Sequence, residues 1–389
     1  MRKKLQQYLL SLIEKKNNGY SLNIFQGLIL FLLAVLSLVY NIIVRVRNFL
    51  YDKKLLPIKR IETRVICVGN ITAGGTGKTP LVEKIARHFA EFGQKPVVIS
   101  RGYKAEADRP ALVSNGEEIL LGPRQAGDEA YMLAKKLPGI PVIIGRDRFK
   151  AGQLACRKFA PEIVILDDGF QHRRLHRDRD MVVLDCLHPF GYQYLLPRGL
   201  LREPLTAFGR AQNIILNGSQ NISEKKVKNL QKEIKNYNRD MEIFCANYSA
   251  RSLKHPLSLF EKGEDKKERN SRVANSNYKV PELKELKGRQ VMAIAGIGNP
   301  PSFKKSLQKL GARVKQSWFF PDHYHYTAGD FEKIARKASE KGIKWLLVTE
   351  KDAVKLNKQL LAPVFEHDLE IYYLEIEMEL SVDLYDLLY

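Results

Sequence analysis

A glycine-rich segment that ends in Lys78 and Thr79 is the part of this sequence best suited to chemistry. The run from Val65 to Pro80 reads V-I-C-V-G-N-I-T-A-G-G-T-G-K-T-P, an apolar strand followed by a loop and the start of a helix. In such a loop, backbone N–H groups and the positive helix N-terminus converge on phosphate oxygens. A lysine here reaches the β- and γ-phosphates, and the following threonine can bind Mg²⁺. The segment therefore predicts a site for ATP or GTP.

The loop departs from the common phosphate-loop pattern at one position. The pattern G-x-x-x-x-G-K-[ST] places its first glycine where this chain has Thr72. Open backbone beside the phosphates is still provided by the glycines that follow. A glycine-rich turn that binds nothing is the alternative. We interpret the following eight residues as the nucleotide-binding loop: Thr72, Ala73, Gly74, Gly75, Thr76, Gly77, Lys78 and Thr79.

Two adjacent carboxylates could hold a metal ion beside this loop. Asp167 and Asp168 directly follow the apolar run Ile163 to Leu166, which predicts a buried strand. A nucleotide cradle needs a carboxylate at the end of a neighbouring strand to bind Mg²⁺ together with the loop threonine. The sequence therefore predicts a metal site at Thr79 with Asp167 or Asp168, without choosing between the two carboxylates.

Other polar segments could act on a substrate. Asp128 begins a predicted helix, where an N-cap is the more common role, but transfer to an alcohol also needs a group that accepts the hydroxyl proton. The basic run Gln171 to Arg177 could neutralise phosphate or simply form a solvated face. The segment Pro321 to Tyr326 places two imidazoles beside a carboxylate. Leu196 to Pro204 follows a strand, the usual place for binding residues in α/β sheets.

Alternating apolar strands and helices must position these residues. This order predicts an α/β protein with a parallel sheet like that of P-loop NTPases, interrupted by a hairpin at Asn115-Gly116. We expect a phosphate-loop domain over 51–218 and a smaller α/β domain over 288–389. Between them, a stretch rich in Lys, Glu, Asn and Ser predicts a linker or hinge over 219–287. The G-x-G at Gly296 is interpreted as a tight βα turn rather than a second nucleotide site.

Charge and cysteine content narrow the possible partners. The 389 residues contain 64 Lys plus Arg against 43 Asp plus Glu, a net charge of +21 that favours anionic partners. The basic runs lack interleaved aromatic residues and a recognisable binding module, so we expect no nucleic-acid partner. Four cysteines without a C-x-x-C pair are typical of reduced thiols in the cytosol.

An uncharged segment near the N-terminus, from Gly27 to Val44, predicts a membrane helix. Its length of about 18 residues is close to the minimum that crosses a bilayer. We expect residues 1–50 to form a lead-in and anchor, with a cleaved signal peptide or a buried soluble helix as alternatives. Ser37 and Tyr40 are compatible with a helix that enters one leaflet without crossing. Because the nucleotide loop needs cytosolic ATP, we place the body on the cytosolic side.

Seven motifs together closely resemble the tetraacyldisaccharide 4'-kinases, the lipid A 4'-kinases of Gram-negative bacteria. They are V-G-N-I-T-A-G-G-T-G-K-T-P, S-R-G-Y-K, G-D-E-A, L-D-D-G-F-Q-H, L-P-R-G-L-L-R-E-P, F-P-D-H-Y-H-Y and V-T-E-K-D-A-V-K. The resemblance covers nearly everything from Gly27 onward. It implies transfer of the ATP γ-phosphate, with Mg²⁺, to the 4'-hydroxyl of tetraacyldisaccharide 1-phosphate at the inner membrane. It also implies two α/β domains joined by a short two-stranded hinge, to which the last strand could return.

The resemblance further implies roles for individual residues. Lys78 would contact phosphates, and Asp128 with His323 would activate the hydroxyl, His323 being preferred to His325 by the D-H order of the motif. We expect a monomer. The side chains expected around the substrate cleft are those of Asn70, Arg101, Gln171, His172, Arg202 and Glu203.

The main alternative is a membrane-tethered P-loop ATPase that switches conformation or partner. In such ATPases a lysine normally precedes the glycine pair, and this chain has Ala73 there. Two departures from the kinase pattern lie away from the expected chemistry: a longer lead-in before Gly27, and Asn217 where Thr-Lys is more common.

Overall fold

One mixed sheet runs through the whole protein. The computed structural model describes residues 2–103, 105–106, 109–259, 280–298, 300–322 and 324–388, and within them twelve strands form the order β10-β9-β11-β12-β8-β7-β6-β1-β5-β2-β4-β3. The strands are β1 (Arg64–Gly69), β2 (Pro96–Ser100), β3 (Ala111–Ser114), β4 (Val142–Ile144), β5 (Ile163–Asp167), β6 (Arg179–Asp185), β7 (Asn213–Asn217), β8 (Glu242–Lys254), β9 (Gln290–Ala295), β10 (Arg313–Phe319), β11 (Trp345–Thr349) and β12 (Glu370–Leu380).

Helices connect most of these strands. They are α1 (Arg2–Asn17), α2 (Ile24–Asp52), α3 (Lys78–Glu91), α4 (Pro123–Ala126), α5 (Asp128–Lys136), α6 (Arg148–Phe159), α7 (Glu224–Lys235), α8 (Pro300–Lys309), α9 (Ala328–Glu340), α10 (Glu350–Ala353), α11 (Lys358–Glu366) and α12 (Leu384–Leu388).

The sheet consists of two parallel halves that meet at an antiparallel pair. Strands β1 to β8 form the N-terminal half, in which β3 alone pairs antiparallel, at the edge beside β4; β9 to β12 form the C-terminal half. The two longest strands, β8 and β12, pair antiparallel and join the halves. The predicted α/β class and the mostly parallel sheet are therefore confirmed, and the last strand does return to pair with β8.

Alternating side chains of the strands fill a core on each face of the N-terminal half. In β1, Ile66 and Val68 pack on one face, while Val65 and Cys67 pack on the other. The first core also receives the apolar face of α3. Full burial of each such side chain contributes about 1.5–3 kcal/mol relative to exposure. These two cores hold the carboxyl ends of β1 and β5 in fixed positions beside each other.

The polar stretch 219–287 is more structured than its composition predicts. It contains α7 and the thirteen-residue strand β8, which is part of the central sheet. Alternate polar residues of β8 are compatible with a strand whose faces are only partly covered. The most polar run, Glu261 to Asn277, lies outside the described residues.

The end of the chain packs on the N-terminal half. Leu384, Leu387 and Leu388 belong to the same core as Ile66, and Arg64 Nη2 donates to the carbonyl of Leu388 at 2.8 Å. Helix α12 thus packs on the N-terminal half, whereas β9, β10 and β11 lie on the other side of the β8–β12 pair. The C-terminal half is connected to the N-terminal half at both of its ends.

A long apolar helix precedes the sheet. Helix α2 is longer than the predicted 27–44 segment and begins at an Asn23 capping box. Among the described residues, it is the one helix long and apolar enough to cross a membrane. Helix α1 packs against it through Leu12 and Ile13.

The cysteines form no disulfide. Cys67 and Cys186 are buried, and the other two are partly buried.

Candidate functional site

The glycine-rich loop joins β1 to α3 and takes the shape of an anion cradle. Gly74 has φ of 115° and Gly77 has φ of 95°, left-handed conformations that side-chain-bearing residues rarely adopt. Gly77 is the N-cap of α3, so the positive end of this helix faces the loop. Within the described residues, the backbone N–H groups of Gly74, Gly75 and Gly77 have no protein hydrogen-bond partner.

Neighbouring segments hold the loop in this shape. Ala73 N donates to Leu200 O at 2.7 Å, and Arg202 N donates to Ile71 O at 2.7 Å, so the 196–204 loop pairs with the first part of the cradle. Asn70 Nδ2 donates to the hydroxyl of Thr76 at 3.1 Å. These hydrogen bonds preorganise the glycine-rich loop. None of them uses the N–H groups of Gly74, Gly75 or Gly77.

Two residues missed by the sequence analysis contact the other side of the loop. Asn217 Nδ2 donates to Thr76 O at 2.9 Å, and a Cβ on Gly77 would overlap the hydroxyl of Tyr248 and the amide of Asn217. Asn217 was noted only as a departure from a family pattern. Tyr248 lies in β8, and no local sequence signal connects this strand with the phosphate loop.

The two adjacent carboxylates at the end of β5, Asp167 and Asp168, have opposite environments. Asp167 is buried, and Ser100 Oγ donates to its Oδ2 at 3.2 Å. Burial and the nearby Glu129 raise the pKa of Asp167 to about 7, although Lys78 opposes this shift. Asp167 Oδ1 is buried and has no hydrogen-bond partner among the described residues. This oxygen is one to which a cation could bind.

Asp168 is instead the centre of a cationic cluster. Lys78 Nζ lies 3.4 Å from Asp168 Oδ1, and Arg202 Nη1 donates to both carboxylate oxygens at 3.0 Å. Burial opposes its ionisation, but Lys78 and Arg202 outweigh burial and lower the pKa of Asp168 to about 2. Its backbone is left-handed, with φ of 57°, and Asp168 N donates to Val68 O at 2.9 Å. The lysine of the phosphate loop is thus fixed by this carboxylate.

Arg148 is a further cation that the sequence analysis missed. It is 3% exposed, donates to Gly145 O at 3.0 Å and to Asp168 O at 3.2 Å, and begins α6. Burial lowers the pKa of its guanidinium, although Asp168 and Asp167 oppose this. An isolated arginine at a helix start carries no sequence signal that separates it from a surface arginine.

Asp128 lies at the start of α5 and faces the C-terminal half. Its Oδ2 is 3.8 Å from Lys355 Nζ, and the neighbouring Glu129 Oε1 is 3.2 Å from Lys351 Nζ. Burial opposes the charge of Lys351, but Glu129 and Asp322 outweigh it and raise the pKa of Lys351. His323 lies outside the described residues, so its pairing with Asp128 stays a prediction.

Three further residues predicted to line the substrate cleft are Arg101, Gln171 and His172. Gln171 Nε2 donates to Asn70 O at 2.7 Å, which attaches the basic run to the phosphate loop, and Arg101 is exposed. His172 Nε2 is buried without a hydrogen-bond partner in the described residues. Burial and Arg148 lower the pKa of His172 to about 4, so this imidazole is neutral at pH 7.

Glu203 was expected to line the substrate cleft, whereas the structure buries its side chain beside α2. Its side chain is fully buried and accepts hydrogen bonds from Asn48 Nδ2 at 2.8 Å and Arg210 Nη2 at 3.0 Å. Arg47 of α2 lies 3.6 Å from its other oxygen. A buried carboxylate requires such partners, and here α2 supplies two of them. Glu203 therefore fixes the long apolar helix to the body.

Helix α2 makes further polar contacts with the loop beside the phosphate cradle. Ser37 Oγ donates to Leu195 O at 2.8 Å, and Tyr40 Oη donates to Arg202 O at 3.0 Å. Large apolar side chains on its other side, among them Phe31 and Leu38, are exposed. One face of α2 therefore contacts the body of the protein through hydrogen bonds, and the opposite face exposes apolar side chains.

The comparisons with known proteins agree on one family. The family model described as tetraacyldisaccharide-1-P 4'-kinase (LpxK) matches residues 29–389. A tetraacyldisaccharide 4'-kinase from Halothermothrix orenii is 42% identical over 99% of this chain and 97% of the relative, and one from Syntrophus aciditrophicus is 38% identical over 90% and 89%.

A solved structure supports the same assignment. The "apo" form of LpxK from Aquifex aeolicus in complex with ATP superposes with a TM-score of 0.66 at 30% identity, covering 91% of this chain and 98% of that one. Because the family model and the relatives cover nearly the whole sequence, the chain belongs to the tetraacyldisaccharide 4'-kinase family of lipid A biosynthesis.

Proposed function

We propose that this chain transfers the γ-phosphate of ATP to the 4'-hydroxyl of tetraacyldisaccharide 1-phosphate by means of the residues around the phosphate cradle. The observation that carries this proposal is the meeting of three groups at the carboxyl ends of β1 and β5: glycine N–H groups without protein partners, Lys78, and the two carboxylates. Such a site positions ATP and stabilises the charge that develops on the transferred phosphoryl group.

Mg²⁺ fits the residues present. The unpartnered Oδ1 of buried Asp167 is a hard oxygen ligand, and Thr79 lies one residue after the cradle lysine. We assign Asp167 and Thr79 to the metal, because Asp168 is already bonded to Lys78 and Arg202. When bound, Mg²⁺ would neutralise charge on the β- and γ-phosphates. Asp168 would meanwhile hold Lys78 extended toward the nucleotide.

Asp128 is the residue we propose as the proton acceptor. Its carboxylate lies at the start of α5, which packs beside α3, and it would take the proton of the 4'-hydroxyl as the oxygen attacks the γ-phosphorus. The P–O bond to ADP breaks as the new P–O bond forms, and ADP leaves with the charge of the broken bond. His323 would orient Asp128 or remove the proton from it.

We further propose that α2 inserts into one leaflet of the inner membrane from its cytoplasmic face. Polar contacts at Ser37, Tyr40 and Asn48 attach the second part of the helix to the body. The part before Ser37 is about 20 Å long, whereas a hydrocarbon core is about 30 Å thick. A helix attached in this way brings the phosphate cradle close to the lipid surface, where a diffusing glycolipid substrate would meet it.

We also propose a division of the chain into two domains and a connecting region. We assign 51–218 to the phosphate-loop domain, 219–287 to the connecting region and 288–389 to the smaller domain. The hydrophobic cores around β9 and β11 support this division, as does the junction of the halves at the β8–β12 pair. Val354, Met378 and the leucines of α12 nevertheless pack in the N-terminal core that contains Ile66. A cleft between the halves could then close over bound nucleotide by bending at these two strands.

A phosphorylation assay tests the proposed function. Purified protein is incubated with Mg-ATP and tetraacyldisaccharide 1-phosphate in detergent micelles, and the lipid is analysed by mass spectrometry. We expect one phosphate added to the sugar in the wild type and a loss of at least about a hundredfold in Asp128→Asn. ATP hydrolysis without lipid phosphorylation would instead favour a switch ATPase. Arg336→Gln, an exposed residue of α9, is the matched control.

A further inference from the structure

A short segment of the C-terminal half approaches helix α5 through three ion pairs. Lys355 Nζ is 3.8 Å from Asp128 Oδ2, Lys351 Nζ is 3.2 Å from Glu129 Oε1, and Glu350 Oε1 is 2.9 Å from Lys136 Nζ. The signs are complementary along the whole contact, because the acidic start of α5 meets lysines and its basic end meets a glutamate. This segment, residues 350–355, lies in the V-T-E-K-D-A-V-K motif, to which the proposed chemistry assigns no role.

We propose that Lys355 is a positioning residue that holds Asp128 in place from the opposite half of the sheet. This inference rests on the proposed function, in which Asp128 accepts the hydroxyl proton. Lys355 does not take part in the phosphoryl transfer itself. Its role is to couple the position and the charge of Asp128 to the arrangement of the two halves.

The fixed position of Lys355 is the first argument. Its side chain is 5% exposed and its ammonium lies 3.1 Å from Asp352 Oδ1. Asp352 is fully buried and is itself held by Gly296 N at 2.8 Å and by the Thr349 hydroxyl at 2.6 Å. Because the anchoring carboxylate cannot move without breaking these bonds, the ammonium has a defined place between Asp352 and Asp128.

The charge balance is the second argument. Asp128 and Asp352 are carboxylates on opposite halves, and the Lys355 ammonium lies 3.8 Å from the first and 3.1 Å from the second. Its removal would take a shared positive charge away from two largely buried carboxylates, and a nearby positive charge favours the ionised form of a carboxylate. A base must be ionised to accept a proton, so Lys355 favours the active form of Asp128. At 3.8 Å the ammonium attracts this carboxylate without forming a direct hydrogen bond.

The third argument is that α5 is fixed at its other end by the same segment. Lys136 Nζ contacts Glu350 and, at 2.6 Å, Glu83 Oε2 of α3, the helix that begins at Lys78. Burial opposes the charge of Lys136, but Glu350 and Glu83 outweigh it and raise the pKa of Lys136. The 350–355 segment therefore contacts both ends of the helix that carries Asp128, and one of these contacts continues to the phosphate-loop helix.

Kinetics of substituted proteins test the proposal. For Lys355→Met we expect kcat for lipid phosphorylation to fall about tenfold to a hundredfold, with the Kd for ATP changed by less than about twofold. Lys355→Arg retains the charge and should recover most of the lost kcat. Lys344→Met removes an exposed lysine that pairs with Asp368 in the same half, and it should leave kcat unchanged.

A double substitution separates this role from a merely structural one. If Lys355 acts through Asp128, then Asp128→Asn with Lys355→Met should have the same kcat as Asp128→Asn alone. Losses that multiply in the double variant would overturn the proposal, as would a wild-type kcat for Lys355→Met. If the methionine variant does not fold, the arginine and glutamine variants are compared, and equal kcat values in these two also overturn it.

The same series distinguishes failure of the inference from failure of the proposed function. Wild-type turnover by Asp128→Asn would remove Asp128 as the base and with it the role of Lys355. Loss of turnover in Asp128→Asn together with wild-type turnover in Lys355→Met would leave the base in place and overturn the positioning role alone.

Discussion

Two βα turns of the same sheet show how similar backbone geometry leads to different chemistry. In the N-terminal half, β1 is followed by the phosphate cradle, whose glycine N–H groups have no protein partner in the described residues. In the C-terminal half, β9 is followed by the turn that begins at Gly296. There the Gly296 N–H donates to Asp352 Oδ2 at 2.8 Å. A carboxylate of the chain therefore takes the place at the second turn that a nucleotide phosphate would take at the first.

The comparison teaches that a glycine-containing turn binds an external anion when the chain leaves its donors unsatisfied. Asp352 comes from the segment after β11, the strand next to β9. In the N-terminal half, β5 is one of the two strands that pair with β1, and the carboxylates at its end bind Lys78 or remain available to a cation. Asp352, just beyond β11, thus stabilises the fold of the C-terminal half. The carboxylates at the end of β5 are instead arranged for a ligand.

The largest effect is expected at Lys78. Lys78→Ala should lower lipid phosphorylation by about 10²–10³-fold, because the lysine stabilises charge that develops on the transferred phosphate. Thermal unfolding should change little, since Asp168 keeps Arg202 as its partner when Lys78 is removed. Activity and melting temperature are measured on the same preparation. Loss of folding together with activity would mean that the first turn is structural like the second.

The opposite result is expected at Asp352. Asp352→Ala should lower the free energy of unfolding by about 3–5 kcal/mol, because it leaves the buried Lys355 without its main counterion and Gly296 N–H without an acceptor. Urea denaturation gives this value. Asp368→Ala removes a fully exposed carboxylate and is the matched control, with an expected change below about 0.5 kcal/mol. Equal losses in both variants would contradict the proposed role of the buried carboxylate.

Alanine substitutions of one glycine in each turn should sharpen the comparison. Gly77→Ala places a Cβ against Tyr248 and Asn217 at a left-handed position, so ATP affinity should fall about tenfold or more. A Cβ at Gly298 would meet Asp322 at an ordinary 3.7 Å, so Gly298→Ala should bind ATP like the wild type. Calorimetric titration with Mg-ATP measures both. A strong effect at Gly298 would show that the second turn is also near the nucleotide.

A smaller effect concerns buried histidines in the two halves. Burial lowers the pKa of His255, which follows β8 and packs against Phe365 and Tyr372 of the C-terminal half, to about 4, as it does for His172 in the N-terminal half. Unfolded protein therefore binds more protons than folded protein between about pH 6.5 and pH 4. The contribution of each histidine to stability should be constant above pH 6.5 and decrease as the pH falls, by at most about 2 kcal/mol at pH 5. Asp167, with its pKa raised to about 7, contributes in the opposite direction below pH 7, so the histidine contribution is the difference between the wild type and a histidine variant.

Urea denaturation of the wild type and of His255→Asn at pH 7.5 and pH 5 measures this effect. Asparagine can still accept the hydrogen bond that Leu257 N donates to His255 Nδ1. The variant should lose less stability than the wild type between the two pH values. An identical loss in both proteins would assign the pH dependence to other groups.

Local patterns were sufficient to predict where the glycine-rich loop and the carboxylates at the end of β5 lie in the fold, whereas their binding roles stay predictions. Both depend on residues close together in the sequence, where a strand, a turn and a helix start are encoded within a few residues. The same reasoning predicted the tight turn at Gly296. It could not show that Asp352 satisfies this turn, because the two residues come from different strands and approach only when β9 and β11 pair.

Contacts between distant segments explain the parts that sequence reasoning missed. Glu203 was expected in the cleft, but its burial depends on Asn48 and Arg210, which lie on separate elements. The approach of Lys355 to Asp128 depends on how the two halves meet. Likewise, the polar composition of 219–287 hid the strand β8, because a strand with partly covered faces carries a weaker hydrophobic pattern than a buried one.

The position of α12 has a consequence for protein synthesis. Leu384, Leu387 and Leu388 complete the core that contains Ile66, and the Arg64–Leu388 hydrogen bond joins residues 324 positions apart. A ribosome releases the segments of β1 long before it has made this helix. The nucleotide-binding half therefore stays incomplete, with part of its apolar core uncovered, until residues 384–388 emerge. Chaperone demand during synthesis should accordingly fall on the half that is made first.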